Sequence, residues 1–309
     1  MRKYFVTGFY LLVLGAILCV GGFLAGGVQM VAWNHGFKIS EKVNETNDLS
    51  KFSKVKVKGK NVEVRVQKGN KYSIHIVGDK LQAPTYEVKK DTLVVTGHKR
   101  RAAVNWEDRG EQVVITVPKK ESLKKMHFDL ADGNVRLRNL KIDKLTKSDK
   151  HWSSDATIYL DNVTVTEKND SKFFLDYGYI QIKDSTINNL NFVADDDTIV
   201  DVKNSTLNNY KFNMSDSKLK VANSTLNGGS IHMDDGHVHL HYNDIKGTND
   251  YILTDESTLK TESGKMNGVD LNAKVIDYFG ERKDGTYQSN PDSENLLRVN
   301  ATDGTIRVR

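Results

Sequence analysis

The chain has 309 residues, 38% of them hydrophobic and 28% charged, with three prolines and a single cysteine. That balance excludes a disordered or collagenous polymer, and one cysteine excludes a disulfide framework. The net charge of +5 conceals two halves of opposite sign: residues 38–125 carry 21 Lys/Arg against 11 Asp/Glu, and residues 126–309 carry 22 against 29.

Arg2 and Lys3 precede an uncharged run from Tyr4 to Trp33. Twelve Leu, Ile, Val and Phe side chains lie between Phe5 and Leu24. At roughly −0.3 to −0.6 kcal/mol each they favour insertion by about −4 to −7 kcal/mol, with no charge to oppose it. The spacing predicts one transmembrane helix within residues 1–33. The basic pair before it predicts a cytoplasmic amino terminus and an extracellular bulk, as in a single-pass cell-membrane protein whose first partner is membrane lipid. A cleaved secretory signal, cut near Ala25-Gly-Gly, is the competing reading, disfavoured by the length of the run. Cys19 follows bulky Leu18 and is a poor lipidation site. Gly22-x-x-x-Gly26 alone is a weak dimerisation signal.

Residues 34–50 read as a polar linker. Residues 51–125 form a β-rich membrane-proximal segment, with period-two alternation in Lys54-Val-Lys-Val-Lys, Val62-Glu-Val-Arg-Val, Tyr72-Ser-Ile-His-Ile and Gln112-Val-Val-Ile-Thr-Val-Pro. It is either an irregular start of the distal half or a small sheet covering an open edge. Pro118 and Lys119-Lys-Glu-Ser mark its end. The basic excess here suits anionic lipid, wall polymer or nucleic acid, although lysines alternating with valines also describe a solvated strand face.

From Asp132 onward the chain repeats. Acid-rich turns at Asp132, Asp155, Tyr177, Asp197, Asp216, Asp235 and Glu256 are followed by apolar residues at the third, fifth and tenth positions. The third-position markers are Val135, Ile158, Ile180, Val200, Leu219, Val238 and Leu259, a period near 20 residues. Marker positions alternate with polar ones, so each unit is a strand with one buried face. A unit burying three or four side chains at about 1.5 to 3 kcal/mol each cannot offset roughly 1 to 2 kcal/mol of backbone entropy per residue. Units must therefore stack, and the predicted fold is all-β: a parallel β-solenoid over residues 126–309, preceded by one transmembrane helix. Asn139, Asn162, Asp184, Asn204 and Asn223 stand three residues before the tenth-position markers and predict a left-handed corner ladder, which Tyr242 and Ser263 continue. A second strand carries Phe192, Phe212, Ile231 and Tyr251. Residues 277–294 interrupt the pattern and read as an inserted loop before Asp303-Gly-Thr-Ile-Arg-Val resumes it.

The amino-terminal span, the segment ending at Val113-Val-Ile-Thr-Val-Pro, the run Phe128-Asp-Leu-Ala-Asp-Gly-Asn-Val-Arg-Leu and the repeated Asn-Ser-Thr-Leu turns together resemble the bacterial putative-adhesin family of β-strand-repeat proteins, over roughly residues 50–275. The resemblance implies a single-pass envelope protein with a β-solenoid ectodomain, considered for adhesion or envelope-stress signalling. It supplies no catalytic residues.

His237, His239 and His241 alternate on one strand and share a face, as metal ligation needs. The repeat register sets Lys218 beside His237, and Lys220 and Lys260 beside His239. Those ammonium groups repel a dication, so a solvated strand face stands ahead of a zinc site. The acid turns would stack about 4.8 Å apart, a spacing that calcium would relieve. Turn capping explains the same residues, and the Gly-Gly-x-Gly-x-Asp calcium motif is absent. Asp195-Asp-Asp and Asp234-Asp raise a glycosidase reading, but strand neighbours point to opposite faces and make no facing pair. Asn-x-Ser/Thr triplets at Asn44, Asn162, Asn169, Asn204, Asn213, Asn223 and Asn300 read as turn chemistry. Aromatic residues do not interleave with a basic stripe, which disfavours nucleic acid. The expectation is a non-enzymatic scaffold with no cofactor, meeting envelope polymer, a host surface or a membrane protein. An envelope-stress regulator acting through a membrane partner is the alternative, and a polysaccharide-acting enzyme is third.

Overall fold

The computed structural model describes residues 2–25, 31–33, 36–39, 41–60, 62–80, 83–97, 103–104, 112–148, 156–168 and 171–309. Asp155, Asn169 and the glycines at 26 and 27 lie outside the described residues.

Among the described residues the chain is all-β apart from one helix, Arg2–Leu24, whose stretch Tyr4–Leu24 is long and apolar enough to cross a membrane and holds no buried residue. The helix lies within residues 1–33 and covers the Phe5–Leu24 run, and Val31–Trp33 after it is a strand, antiparallel to Phe37–Ile39 and to Ala103–Val104. Gly21 and Gly22 weaken helix propensity in its last turn.

Downstream, successive turns of the chain stack in parallel register. Val64 pairs with Val135, and the column continues through Ile158, Ile180, Val200, Leu219, Val238 and Leu259 to Ile306. Every one of these side chains is buried. The fifth- and tenth-position residues form parallel columns, for example Ile142, Val165, Ile187, Leu207, Leu226 and Ile245. On the second strand, Phe173, Phe192, Phe212, Ile231 and Tyr251 stack, with the first two rings 5.8 Å apart. The result is a β-solenoid-like stack with one continuous apolar core.

Its corners are built from residues that tolerate positive φ. Asn139, Asn162, Asp184, Asn204, Asn223, Tyr242 and Ser263 all have φ between 48° and 55°. The acid turns use the same conformation at Tyr177, Asp197, Asp216, Asp235 and Glu256. A third bend divides the later coils at Asn189, Asn209, Gly228 and Gly247, with φ from 50° to 63°. Just inside the Asn corner runs a buried polar staircase. Ser185, Ser205 and Ser224 accept the backbone N–H of Val163, Ser185 and Ser205 in turn, and Asn243 Oδ1 accepts that of Ser224 at 2.9 Å. Each serine hydroxyl also donates to the carbonyl two residues before it. The Asn-Ser-Thr-Leu signature thus has a division of labour: Asn turns the chain, Ser joins coil to coil, and Leu fills the core.

The membrane-proximal segment combines the two arrangements anticipated for it. Lys54–Gly59 and Val62–Gly69 form the first coil, parallel to Leu123–Leu130 and Gly133–Lys147. The exposed edges of this coil are then covered. Gln112–Pro118 adds in parallel, followed by antiparallel Ser73–Asp79 and Lys42–Asp48. On the other side Thr92–Thr96 adds in parallel and closes a hairpin with Thr85–Lys89. Two expectations need correction here. The linker at 34–50 contains the edge strand 42–48, unreadable because Val43 is its only apolar residue. Pro118 is no break either, since strands on both sides of it belong to one sheet and one buried cluster.

The carboxyl end departs further from expectation. Residues 277–294 are not an inserted loop. Gly268–Tyr278 and Glu281–Ser289 form an antiparallel hairpin, and Leu296–Val308 returns between that hairpin and the preceding coils. Glu281–Ser289 is an edge strand with no fully buried residue, so no alternation marked it.

Candidate functional site

The stack turns a repeat in sequence into rows of outward side chains. On the outer face of the first strand column, Arg65, Arg136, Tyr159, Gln181, Asp201, Lys220, His239, Lys260 and Arg307 follow one another across nine adjacent strands. Beside them run Tyr179, Ile199, Lys218, His237 and Thr258. Tyr159 and Tyr179 meet edge to face at 6.0 Å, and the Arg136 guanidinium lies 5.0 Å over the Tyr159 ring. Asp201 is 7% exposed and neutralised: Lys203 Nζ donates to it at 2.7 Å and the Tyr179 hydroxyl at 3.2 Å.

The predicted histidines sit on this face. Lys218 pairs with His237, and Lys220 and Lys260 flank His239, as the repeat register requires. The His237 and His239 rings are 6.5 Å apart, while His241 turns to Glu262 at 3.1 Å. Burial, then the charges of Lys260, His237, Lys218 and Lys220, push the His239 pKa down. Among the described residues no group of three His, Cys, Asp or Glu side chains is placed to hold a metal ion. The three imidazoles share a face but do not converge, because a flat sheet holds them side by side and the neighbouring cations are lysines.

The acid corner lies next to this face. A groove of about 340 Å³ there is lined by Asp197, Asp216, Asp235, Lys218 and His237. Its backbone N–H groups are used between coils: Asp197 donates to the Asp216 carbonyl and Asp216 to that of Asp234, both at 2.9 Å. Asp255 shares a hydrogen bond with Asp234, and the neighbouring charge raises its pKa. Asp195, Asp196 and Asp197 occupy this turn, with φ of 41° and 48° at the last two, so they serve the corner and not one strand face. Of the Asn ladder, Asn162 Nδ2 donates to Asn139 Oδ1 at 2.7 Å and Asn204 Nδ2 to Asp184 Oδ1 at 3.2 Å. A second amide ladder, Asn188, Asn208 and Asn227, was missed; its signal was the spacing of 20 and 19 residues.

Sequence reasoning also missed Lys147, which occupies the aromatic column between Phe128 and Phe173 and is 2% exposed. Burial lowers its pKa to about 8, countered by the carboxylates of Asp176 and Asp129. Farther along, the Tyr210 hydroxyl meets Asn249 Oδ1 at 2.7 Å and the Tyr251 hydroxyl at 2.9 Å inside the core. Gly229 makes room for this tyrosine, since a Cβ there would fall 2.6 Å from the Tyr210 carbonyl oxygen.

No curated protein matches the chain. Among solved structures, a putative lipid binding protein from Parabacteroides distasonis has a TM-score of 0.57 at 11% identity, covering 87% of this chain and 97% of the other. A putative adhesin from the same organism has a TM-score of 0.55 at 11% identity with the same coverage. At these identities the likeness is one of fold. Toastrack DUF4097 matches residues 52–309, from the first coil to the last strand, and the chain belongs to that family.

Proposed function

We propose that the protein is a non-enzymatic interaction scaffold of the cell envelope. The helix Arg2–Leu24 is a membrane span with the amino terminus in the cytoplasm, and the solenoid is an extracellular adhesin-like surface. The observation that carries this reading is the long outer face, on which Lys218 and Lys220 lie in register beside His237 and His239 on the adjacent strand, in one row with Arg136 beyond three intervening strands. Such a face offers rows of polar and cationic side chains to an extended partner, such as an envelope polymer or a host surface. The putative adhesin of Parabacteroides distasonis shares the fold, which supports a surface role.

Cells producing the full chain, cross-linked intact and compared with a Lys218→Ser, Lys220→Ser, His237→Ser, His239→Ser variant, test the proposal. Recovery of wall polysaccharide or host matrix by the parent and its loss in the variant is the expected result. Equal recovery by both would remove the face from the account. Recovery of a sensor kinase in place of polymer would favour the regulatory alternative. Protease shaving of intact cells should remove the solenoid and spare the helix.

A further inference from the structure

The lysine excess of the proximal half has a definite place in the fold. Lys54, Lys56 and Lys58 alternate with the buried Val55 and Val57 and therefore share one outer face. The next strand sets Lys125 beside Lys54 and His127 beside Lys56, and Lys144 follows Lys125 on the third. Lys124 is exposed at the start of the second strand.

The acids near this face are largely engaged. Glu87 pairs with Lys89 at 2.8 Å, and Glu167 with Lys144 at 3.5 Å. Asp91 accepts the Ser53 backbone N–H at 2.8 Å and the Ser53 hydroxyl, and Asp129, the cross-strand neighbour of Lys58, is the acid that stays on the face. Among the described residues no ion pair within 4 Å engages Lys54, Lys56, Lys58, Lys124 or Lys125, and Asp91 acts on Lys124 and Lys54 only through space. A groove of about 420 Å³ adjoins the second strand at its start, lined by Lys68, Lys119, Lys120 and Lys141 and by Glu121, which pairs with Lys51 at 2.9 Å.

We propose that this lysine face is a docking surface for an anionic lipid bilayer, the one in which the helix is anchored. The inference rests on the reading of Tyr4–Leu24 as a membrane span. Three features favour lipid. The cations are lysines on a flat sheet face, point charges on flexible stems with no planar fork and no aromatic partner, which suits a diffuse anionic surface better than a defined ligand. The 18 residues from Leu24 to Lys42 have a contour of roughly 60 Å, and the antiparallel pairing of Val31–Trp33 with Phe37–Ile39 folds part of it back, which ties the ectodomain closely to the anchor. The lysine face and the histidine face belong to different strand columns, so resting one on lipid leaves the other free for a partner.

The test uses the full chain in nanodiscs of zwitterionic lipid alone or with phosphatidylglycerol, reading the acylation rate of each lysine by mass spectrometry. In the anionic discs Lys54, Lys56, Lys58, Lys124 and Lys125 should react more slowly by about threefold or more, Lys218 and Lys220 should not change, and high salt should abolish the difference. Equal rates in both discs, with the chain inserted, would overturn the docking and leave the anchor intact. Failure of the chain to insert would overturn both. Protection by added polyphosphate in zwitterionic discs, without protection by anionic lipid, would assign the face to a soluble polymer and overturn the proposal.

Discussion

The distal coils and the proximal cap solve the same problem by different means. From residue 156 to 262, every strand rests on a parallel copy of itself about 20 residues away, and the same few residue types recur at every corner. Around residues 42–118 the pairing alternates between parallel and antiparallel, and strands far apart in sequence are joined. A repeat generates its own neighbours but leaves an open edge at each end. The cap and the carboxyl-terminal hairpin are where that edge is closed.

If the coils interact mainly with their neighbours, damage should stay local. Phe192→Ala removes a fully buried ring from the aromatic column and should cost about 3 to 5 kcal/mol. Hydrogen exchange should show lost protection in the coils on either side of it, with the strands at 62–69 and 112–118 unaffected. Uniform loosening of cap and solenoid would mean that the two regions fold as one unit.

Lys147 lies where the regions join, and pH reads it. Its pKa in the fold is about 8, below the ordinary lysine value of 10.5. Between those values the unfolded chain binds more protons, so stability should rise with pH through that window, by up to about 1.4 kcal/mol per unit. Below pH 8 the burden of the buried charge is fully present. Compared with Lys147→Met, the parent should gain melting temperature from pH 8 toward 10, and parallel curves would contradict the burial.

Smaller effects test the corner chemistry of the distal coils. Ser205→Ala removes the acceptor of the buried Ser185 N–H and should cost about 1 to 3 kcal/mol in a denaturant titration. Asn204→Ala keeps the staircase but forces alanine to φ 48°, for roughly 1 kcal/mol, whereas Asn204→Gly should be nearly neutral. A glycine variant as unstable as the alanine one would shift the weight from backbone conformation to the amide ladder.

The regions also differed in how far they could be read from residues alone. Val200, Leu219 and Val238 betrayed their stacking because identical demands recur on each coil and leave a period in the sequence. The third bend was hidden, since Asn189 and Asn209 give way to Gly228 and Gly247, different residues meeting one conformational need. Edge strands 42–48 and 281–289 were hidden for another reason: they bury almost nothing, so hydrophobic alternation has nothing to report. Lys147 was invisible because its burial depends on neighbours 19 and 26 residues away, Phe128 and Phe173. On the candidate face, the cross-strand neighbours of His237 and His239 followed from the repeat, but the neutralised Asp201 needed three-dimensional contacts.

The most direct test of the coil register is oxidative cross-linking in a Cys19→Ser background. Lys220→Cys with His239→Cys places thiols on adjacent strands about 4.8 Å apart, within disulfide reach, and this pair should oxidise readily. Lys220→Cys with Lys260→Cys is separated by one intervening strand and should remain reduced. Equal oxidation of the two pairs, or preference for the second, would contradict the stacked coils on which the interaction face depends.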